Sequence, residues 1–223
     1  MGRLIFRVNS MPVKVILCYG DSNTWGYEPG TGNRYPRDRT WPGVLRKNLG
    51  EGYIVIDEGL NGRTTVWDDP TQLFPEKRNG LKYLIPCLES HMPLDLVIIM
   101  LGTNDLKKRF SLSPLEVAKG MRALVEAVKV SGAGPGGKPP GILLVAPPRI
   151  GQLFEFAEEL EGAEEKSKKL PGYYRLIAEE MGCEFLDASE IVSPSKIDGV
   201  HLDLNGHLRL GEALAIQVKR ILG

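Results

Sequence analysis

The sequence predicts an α/β protein: a three-layer α/β/α sandwich around a five-stranded parallel sheet. Five short apolar runs rich in β-branched residues recur along the chain, at Val13–Tyr19, Tyr53–Asp57, Leu96–Leu101, Ile142–Ala146 and Cys183–Asp187. Most are continuously apolar rather than alternating, which marks strands covered on both faces. Between them lie segments with the three- and four-residue spacing of amphipathic helices, and strands alternating with helices wind into right-handed βαβ units. Hydrophobic residues make up 42% and charged residues 25% of the 223, enough for a sizeable core and unlike a disordered, collagen-like or coiled-coil chain.

Taken in order, the first strand runs into the turn Gly20–Gly26, the second into Gly59–Thr65 and the third into Gly102–Asp105. A helix then opens at Ser113-Pro114-Leu115-Glu116. Serine caps it, proline occupies the first helical position, and glutamate three residues after the serine completes a capping box. Val117, Met121, Leu124, Val125 and Val128 continue on one face, and the spacing predicts an end near Val130. Ser131–Gly141 is dense in glycine and proline; a strand resumes directly after it, so it reads as a mobile loop rather than a domain linker. From Gln152 to Lys169, Glu155, Glu158, Glu159, Glu161, Glu164 and Glu165 precede Lys166, Lys168 and Lys169, an order that suits a helix dipole and predicts a solvated surface helix. The last helix is predicted to follow Asn205, with Leu210, Leu214, Val218 and Ile221 on its buried stripe.

Charge and termini narrow the function classes. Lysine plus arginine equals aspartate plus glutamate at 28 each, so no general field draws phosphate backbones or anionic lipid, and neither nucleic acid nor a membrane is an expected partner. Cys18, Cys87 and Cys183 are far apart, which is neither a disulfide framework nor a zinc-ligand pattern; with only His91, His201 and His207 besides, no metal or cofactor is expected. Leu4–Phe6, between Arg3 and Arg7, is too short for a signal-peptide core, and Phe6 stands where myristoylation at Gly2 wants a hydroxyl. The expectation is a cytoplasmic protein with an N-terminal extension over 1–12 and one domain over 13–223. Met11 is an alternative start.

The chemistry sits at the predicted strand ends. Gly20-Asp21-Ser22-Asn23-Thr24-Trp25-Gly26 places Ser22 at the carboxyl end of the first strand, on a turn suited to a nucleophile; the competing reading is a serine capping the next helix. Asn104 follows the third strand at its carboxyl end, and the stretch Gly59-Leu60-Asn61-Gly62-Arg63-Thr64-Thr65 after the second can offer an unobstructed backbone N–H. Asp198-Gly199-Val200-His201 sets a carboxylate and an imidazole three residues apart on one loop. A serine hydroxyl is a weak nucleophile until an imidazole takes its proton, and a carboxylate on the other ring nitrogen fixes the tautomer.

On these stretches the chain resembles the SGNH (GDSL-type) hydrolases. GDSxTWG, GLxxRTT, PLDLVIIMLGTND and DGxH are similar to the arylesterase and acyltransferase branch, in the right order and over nearly the whole chain from Val13. The resemblance implies a flavodoxin-like SGNH hydrolase fold. It also implies Ser22 as nucleophile, Asp198 and His201 as its partners, and an oxyanion hole from the Ser22 and Gly62 N–H groups and the Asn104 side chain. Two departures stand out. Asn23 replaces the leucine common after the serine, read as altering packing without touching mechanism, and Pro171-Gly172 should kink or restart a helix that is continuous in similar proteins.

Trp25 and Tyr27 follow the nucleophile and are expected to bind substrate, with Trp67 a better fit to the core. Pro147–Ile150 leads to Phe154 and Phe156, expected as pocket wall or lid, with Phe154 taken as the substrate contact. His207 is read as a surface or capping residue, His91 as favouring a helix end, and Asp21 and Asp105 as holding loops. The expected function is a serine esterase for small acyl or aryl esters, including acetylated carbohydrates, with acyltransferase or perhydrolase side activity and self-association. Activity should rise with pH through the ordinary imidazole range, near 6.5. The alternatives are a ligand-binding module without turnover, a lysophospholipase or thioesterase for longer acyl chains, and a metal-dependent phosphoesterase, which would need a carboxylate and histidine cluster.

Overall fold

The computed structural model describes residues 13–223; the extension read at 1–12 lies outside the described residues. Five strands form one parallel sheet: β1 (Lys14–Gly20), β2 (Tyr53–Gly59), β3 (Leu96–Met100), β4 (Gly141–Ala146) and β5 (Glu184–Asp187), in spatial order β2-β1-β3-β4-β5. Each expected strand is present, with ends moved by one or two residues. The helices are α1 (Ser22–Trp25), α2 (Trp41–Leu49), α3 (Gly80–His91), α4 (Pro114–Val130), α5 (Ala163–Ser167), α6 (Leu170–Met181) and α7 (Leu204–Leu222).

Burial follows the parallel-sheet argument. All five residues of β3 are buried, as are the last five of β1 and of β4, while the edge strands β2 and β5 keep partly exposed positions. Alternate side chains go to opposite layers. Leu17, Tyr19, Val97, Ile99 and Leu144 pack under α3, α4 and α6; Ile16, Cys18, Ile98, Leu143 and Val145 pack under α2 and α7. Each fully buried aliphatic side chain contributes about 1.5–3 kcal/mol. The order 2-1-3-4-5 reverses direction between β1 and β3, and the crevice beyond the carboxyl ends there is where doubly wound sheets bind ligands.

Local sequence explains the helix ends, with two corrections. The capping box of α4 forms as expected, Ser113 Oγ accepting from the Glu116 N–H while the Glu116 carboxylate accepts from the Ser113 N–H. Helix α6 restarts at Leu170 with Pro171 in its first turn. Helix α7, however, begins before Asn205: the Asp203 carboxylate accepts from the Gly206 N–H at 2.7 Å and caps it, and Leu210, Leu214 and Val218 form the buried stripe. The surface helix expected over 152–169 is not continuous. Bends and then turns run over 152–162, and only the five residues of α5 are helical. Gly162, at φ 75°, takes a left-handed conformation at the break. The glutamates that looked helix-ordered are engaged across the fold instead: Glu159 pairs with Lys107 and Arg109, and Glu161 with Lys108.

His207 corrects another expectation, being fully buried near the start of α7 rather than on the surface. Its Nδ1 accepts from the Trp41 N–H at 3.2 Å, and the Tyr35 ring meets it edge-on at 5.7 Å. Burial pushes its pKa down to about 4. The unfolded chain protonates this side chain below about 6.5, so between there and about 4 it binds more protons than the folded chain, and the contribution to stability falls as pH falls. Asp21 and Asp105, which burial raises to about 6, act in the opposite sense. Comparison with His207→Gln isolates the histidine, because glutamine can still accept from Trp41. Over pH 6.5 to 4, wild type should lose on the order of 3 kcal/mol relative to the variant in denaturant titrations; a difference that does not vary with pH would contradict the buried neutral imidazole.

Candidate active site

Ser22 begins the short helix α1 immediately after β1. Asp21 caps that helix by accepting from the Asn23 N–H at 3.0 Å, which keeps its side chain away from the serine. Gly20 makes the turn sterically possible, since a Cβ there would lie 2.0 Å from Thr24 Oγ1. On the loop before α7, Asp198 collects three donors: the Val200 N–H at 2.8 Å and the His201 N–H at 2.9 Å on Oδ1, and His201 Nδ1–H at 2.7 Å on Oδ2. His201 Nε2 faces the Ser22 hydroxyl at 2.9 Å. A carboxylate can only accept, so the ring proton sits on Nδ1 and Nε2 is left to accept from the hydroxyl. Burial pushes the Asp198 carboxyl up, but hydrogen bonds from His201 and the two backbone N–H groups outweigh it and hold the group below the ordinary carboxylate range.

The imidazole is packed on two sides. The Tyr27 ring stacks on it at 4.1 Å between centroids, and Phe156 meets it edge-on at 5.7 Å. Gly62 sits at φ 77°, a conformation that glycine adopts without penalty. Among the described residues, neither its N–H nor that of Ser22 finds a protein acceptor. Asn104 Nδ2 donates to the Arg63 carbonyl at 3.1 Å and reaches Asp21 Oδ2 only at 3.5 Å, so one of its two hydrogens is weakly held. The loop carrying Gly62 is fastened on both sides. Asp105 accepts from the Thr65 N–H at 3.0 Å and from the Thr65 hydroxyl, and the buried Arg63 guanidinium donates to the Gly20 carbonyl at 2.9 Å and to the Glu58 carbonyl.

These groups line a cavity of about 150 Å³, with Ser22, Gly62, Asn104 and His201 on one side and Tyr27, Phe156 and Leu160 among its walls. Lys107 and Glu159 also line it, paired at 3.3 Å. Two expected substrate contacts, Trp25 and Phe154, do not line this cavity. Trp25 turns away from the cavity and carries the Arg34 guanidinium 5.0 Å over its ring, tied by Arg34 Nε–H to its own carbonyl at 2.7 Å. Phe154 is 53% exposed and outside the cavity, because 152–162 runs as bends and turns and brings Phe156 inward instead. Trp67 packs against the core as expected. Asp105 ties its own loop to the Gly62–Thr65 loop through Thr65, a partner that sequence spacing could not show.

One set of described side chains could hold a metal ion. Glu58, Cys87 and His91 bring donor atoms within 4.8 Å of one another on the β2–α3 side. Burial pushes the Cys87 thiol up to about 12, and His91 Nε2 and Glu58 Oε1 already pair at 3.0 Å, so the set is better described as a hydrogen-bonded helix end over a buried thiol. It shares no residue with the Ser22 cavity.

A hydroxyl facing an imidazole that is itself held by a carboxylate, at the switch point of a parallel sheet with backbone N–H groups nearby, has the arrangement of a serine hydrolase site. Residues 18–210 match the GDSL-like Lipase/Acylhydrolase family, and the chain belongs to it. Among solved structures it is similar to an aryl esterase from M. smegmatis, at 43% identity and TM-score 0.90, covering 94% of this chain and 100% of that one. It is equally similar in sequence to a carbohydrate acetylesterase from Sinorhizobium meliloti, at 43% identity and TM-score 0.88 over the same shares. A G-D-S-L family protein from Veillonella parvula, at 16% identity and TM-score 0.66, shares the fold. No curated protein matches the chain. Family and structural relatives together make it a carboxylic ester hydrolase of the SGNH serine esterase type. Among the described residues no helix is long and apolar enough to cross a membrane.

Proposed function

We propose that the chain hydrolyses short-chain acyl and aryl esters, acetylated carbohydrates among them, through an acyl-enzyme on Ser22. The observation that carries this reading is the continuous hydrogen-bonded line from Ser22 Oγ through His201 to Asp198, at 2.9 and 2.7 Å. His201 Nε2 takes the hydroxyl proton as Oγ attacks the ester carbonyl, and the imidazolium formed is stabilised by Asp198. The Ser22 and Gly62 N–H groups and Asn104 Nδ2 stabilise the developing oxyanion, each such donor being worth on the order of 3 kcal/mol of barrier. His201 then returns the proton to the departing alcohol. Water, deprotonated by the same imidazole, attacks the acyl carbonyl and releases the acid. Alcohols or peroxide in place of water would give the acyltransferase and perhydrolase reactions.

The cavity supports short acyl groups. In other proteins about 150 Å³ of apolar space accepts a benzene-sized molecule, and here Leu160 and Phe156 close the wall. Across p-nitrophenyl esters from acetate to palmitate, kcat/KM should be highest at two to four carbons and fall by about 100-fold or more by ten. Leu160→Ala should raise the octanoate-to-acetate ratio by about 10-fold. A chain preferring decanoate or palmitate would overturn the short-chain reading and favour the lysophospholipase or thioesterase alternative.

The same reading places the enzyme in the cytoplasm, where three free thiols, two of them buried, suit a reducing compartment. It also includes self-association, for which the exposed Leu204, Leu208 and Ile216 of α7 offer an apolar face to a second copy.

A further inference from the structure

Asn23 follows Ser22 directly, yet its side chain turns from its own helix to the loop bearing His201. It is 2% exposed. Nδ2 donates to the Val200 carbonyl at 3.2 Å and Oδ1 accepts from the Leu202 N–H at 2.9 Å. Those two peptide groups flank His201 on either side. A carboxamide offers one donor and one acceptor in a plane, so it grips a carbonyl and an N–H together; leucine, common at this position in similar proteins, can grip neither.

The remaining bonds around His201 do a different job. Asp198 holds the imidazole and the Val200 and His201 N–H groups, and the His201 carbonyl accepts from the Ser195 N–H at 2.7 Å. Both partners belong to the loop itself, and the Gly199 carbonyl, accepting from the Gly151 N–H at 2.8 Å, ties that loop to the segment after β4 rather than to α1. They set the ring relative to the loop but not the loop relative to the nucleophile. Apart from the Ser22–His201 bond, the two Asn23 contacts are the polar ties between α1 and the 198–202 segment among the described residues.

We propose that Asn23 is a positioning residue that sets the separation between the Ser22 hydroxyl and His201 Nε2. Because Ser22 and Asn23 are consecutive on one turn, and Val200 to Leu202 consecutive on the other, fixing the flanking peptides fixes the 2.9 Å contact between them. The proposal rests on the serine esterase reading above and assigns a role within that site.

Asn23→Leu removes both ties and puts a bulkier apolar side chain in place of the carboxamide. With p-nitrophenyl acetate, kcat should fall about 10- to 100-fold while KM stays within about twofold, because the substrate cavity does not include Asn23. The rate of Ser22 labelling by a fluorophosphonate should fall in step with kcat, since it reads nucleophile activation without acyl-chain binding. A merely structural residue would lower thermal stability and leave kcat and labelling unchanged, and that result overturns the proposal. If the leucine variant does not fold, Asn23→Asp serves. It is isosteric, keeps the acceptor for Leu202 and loses the donor to Val200, and wild-type kcat in it likewise overturns the proposal. Wild-type protein that hydrolyses the ester and labels at Ser22 keeps the esterase reading whatever the variants do; inert wild-type protein sinks both.

Discussion

Ser22→Ala is expected to lower kcat for p-nitrophenyl acetate by about 10,000- to 1,000,000-fold, with the fold intact. The size follows from what the hydroxyl does. Without Oγ there is no acyl-enzyme, and His201 has only water to activate, which leaves the cavity's N–H groups to lower the barrier for direct attack. That residual is real, so the expected rate is not zero. The side chain is small and 6% of Ser22 is exposed, so its loss removes little packing. Circular dichroism and thermal melting should match wild type. Retained activity at more than about a hundredth of the wild-type rate would place the nucleophile elsewhere.

Asp198→Asn should cost about 10,000-fold in kcat, by a different route. The carboxamide put in place of the carboxylate can keep its oxygen toward the Val200 and His201 N–H groups, which approach Oδ1 at 2.8 and 2.9 Å, so the loop should hold its shape. Its nitrogen would then donate toward His201 Nδ1, forcing the ring proton onto Nε2. That ring nitrogen faces Ser22 Oγ at 2.9 Å and must accept for the hydroxyl to be activated. The variant is thus folded and holds the wrong tautomer. Asp198→Ala would also leave two buried N–H groups unpaired, costing about 1–3 kcal/mol each, so the pair of variants separates the catalytic from the structural part of the carboxylate. Because Asp198 is held below its ordinary range, the stability it contributes is present above about pH 3.9 and is lost as pH falls through its lowered folded value. Thermal melting of wild type and Asp198→Asn in acid should therefore converge.

Much of the fold was legible because it rests on short-range signals. Continuous apolar runs gave the five strands, and Ser113, Pro114 and Glu116 gave the start of α4 to the residue. Elements decided by tertiary partners were harder to read. The acidic stretch over 152–162 has helical charge order, but Lys107, Lys108 and Arg109 lie about fifty positions away in sequence and draw its glutamates into ion pairs across the fold. His207 looks exposed beside polar neighbours until the packing of α2 on α7 encloses it.

The candidate site divides the same way. Ser22, Gly62, Asn104 and His201 each stand in a motif at a strand end or on one loop and line one cavity, with Asp198 hydrogen-bonded to the far side of the His201 ring. Orientation was not recognisable. Trp25 and Phe154 are aromatic residues in suitable places along the chain, yet one faces Arg34 and the other faces solvent, while Phe156 packs on His201. Asn23, read as a packing substitution, also makes two hydrogen bonds to groups 177 and 179 positions away, and only its departure from the family motif hinted at them.

The central claim is that Ser22 is an activated nucleophile, and it is tested most directly by labelling the wild-type protein with a fluorophosphonate and mapping the modified peptide by mass spectrometry. A single adduct on Ser22, formed together with loss of esterase activity and absent from Ser22→Ala, is the predicted result. No adduct, or one on a different residue with activity lost alongside it, would contradict the account.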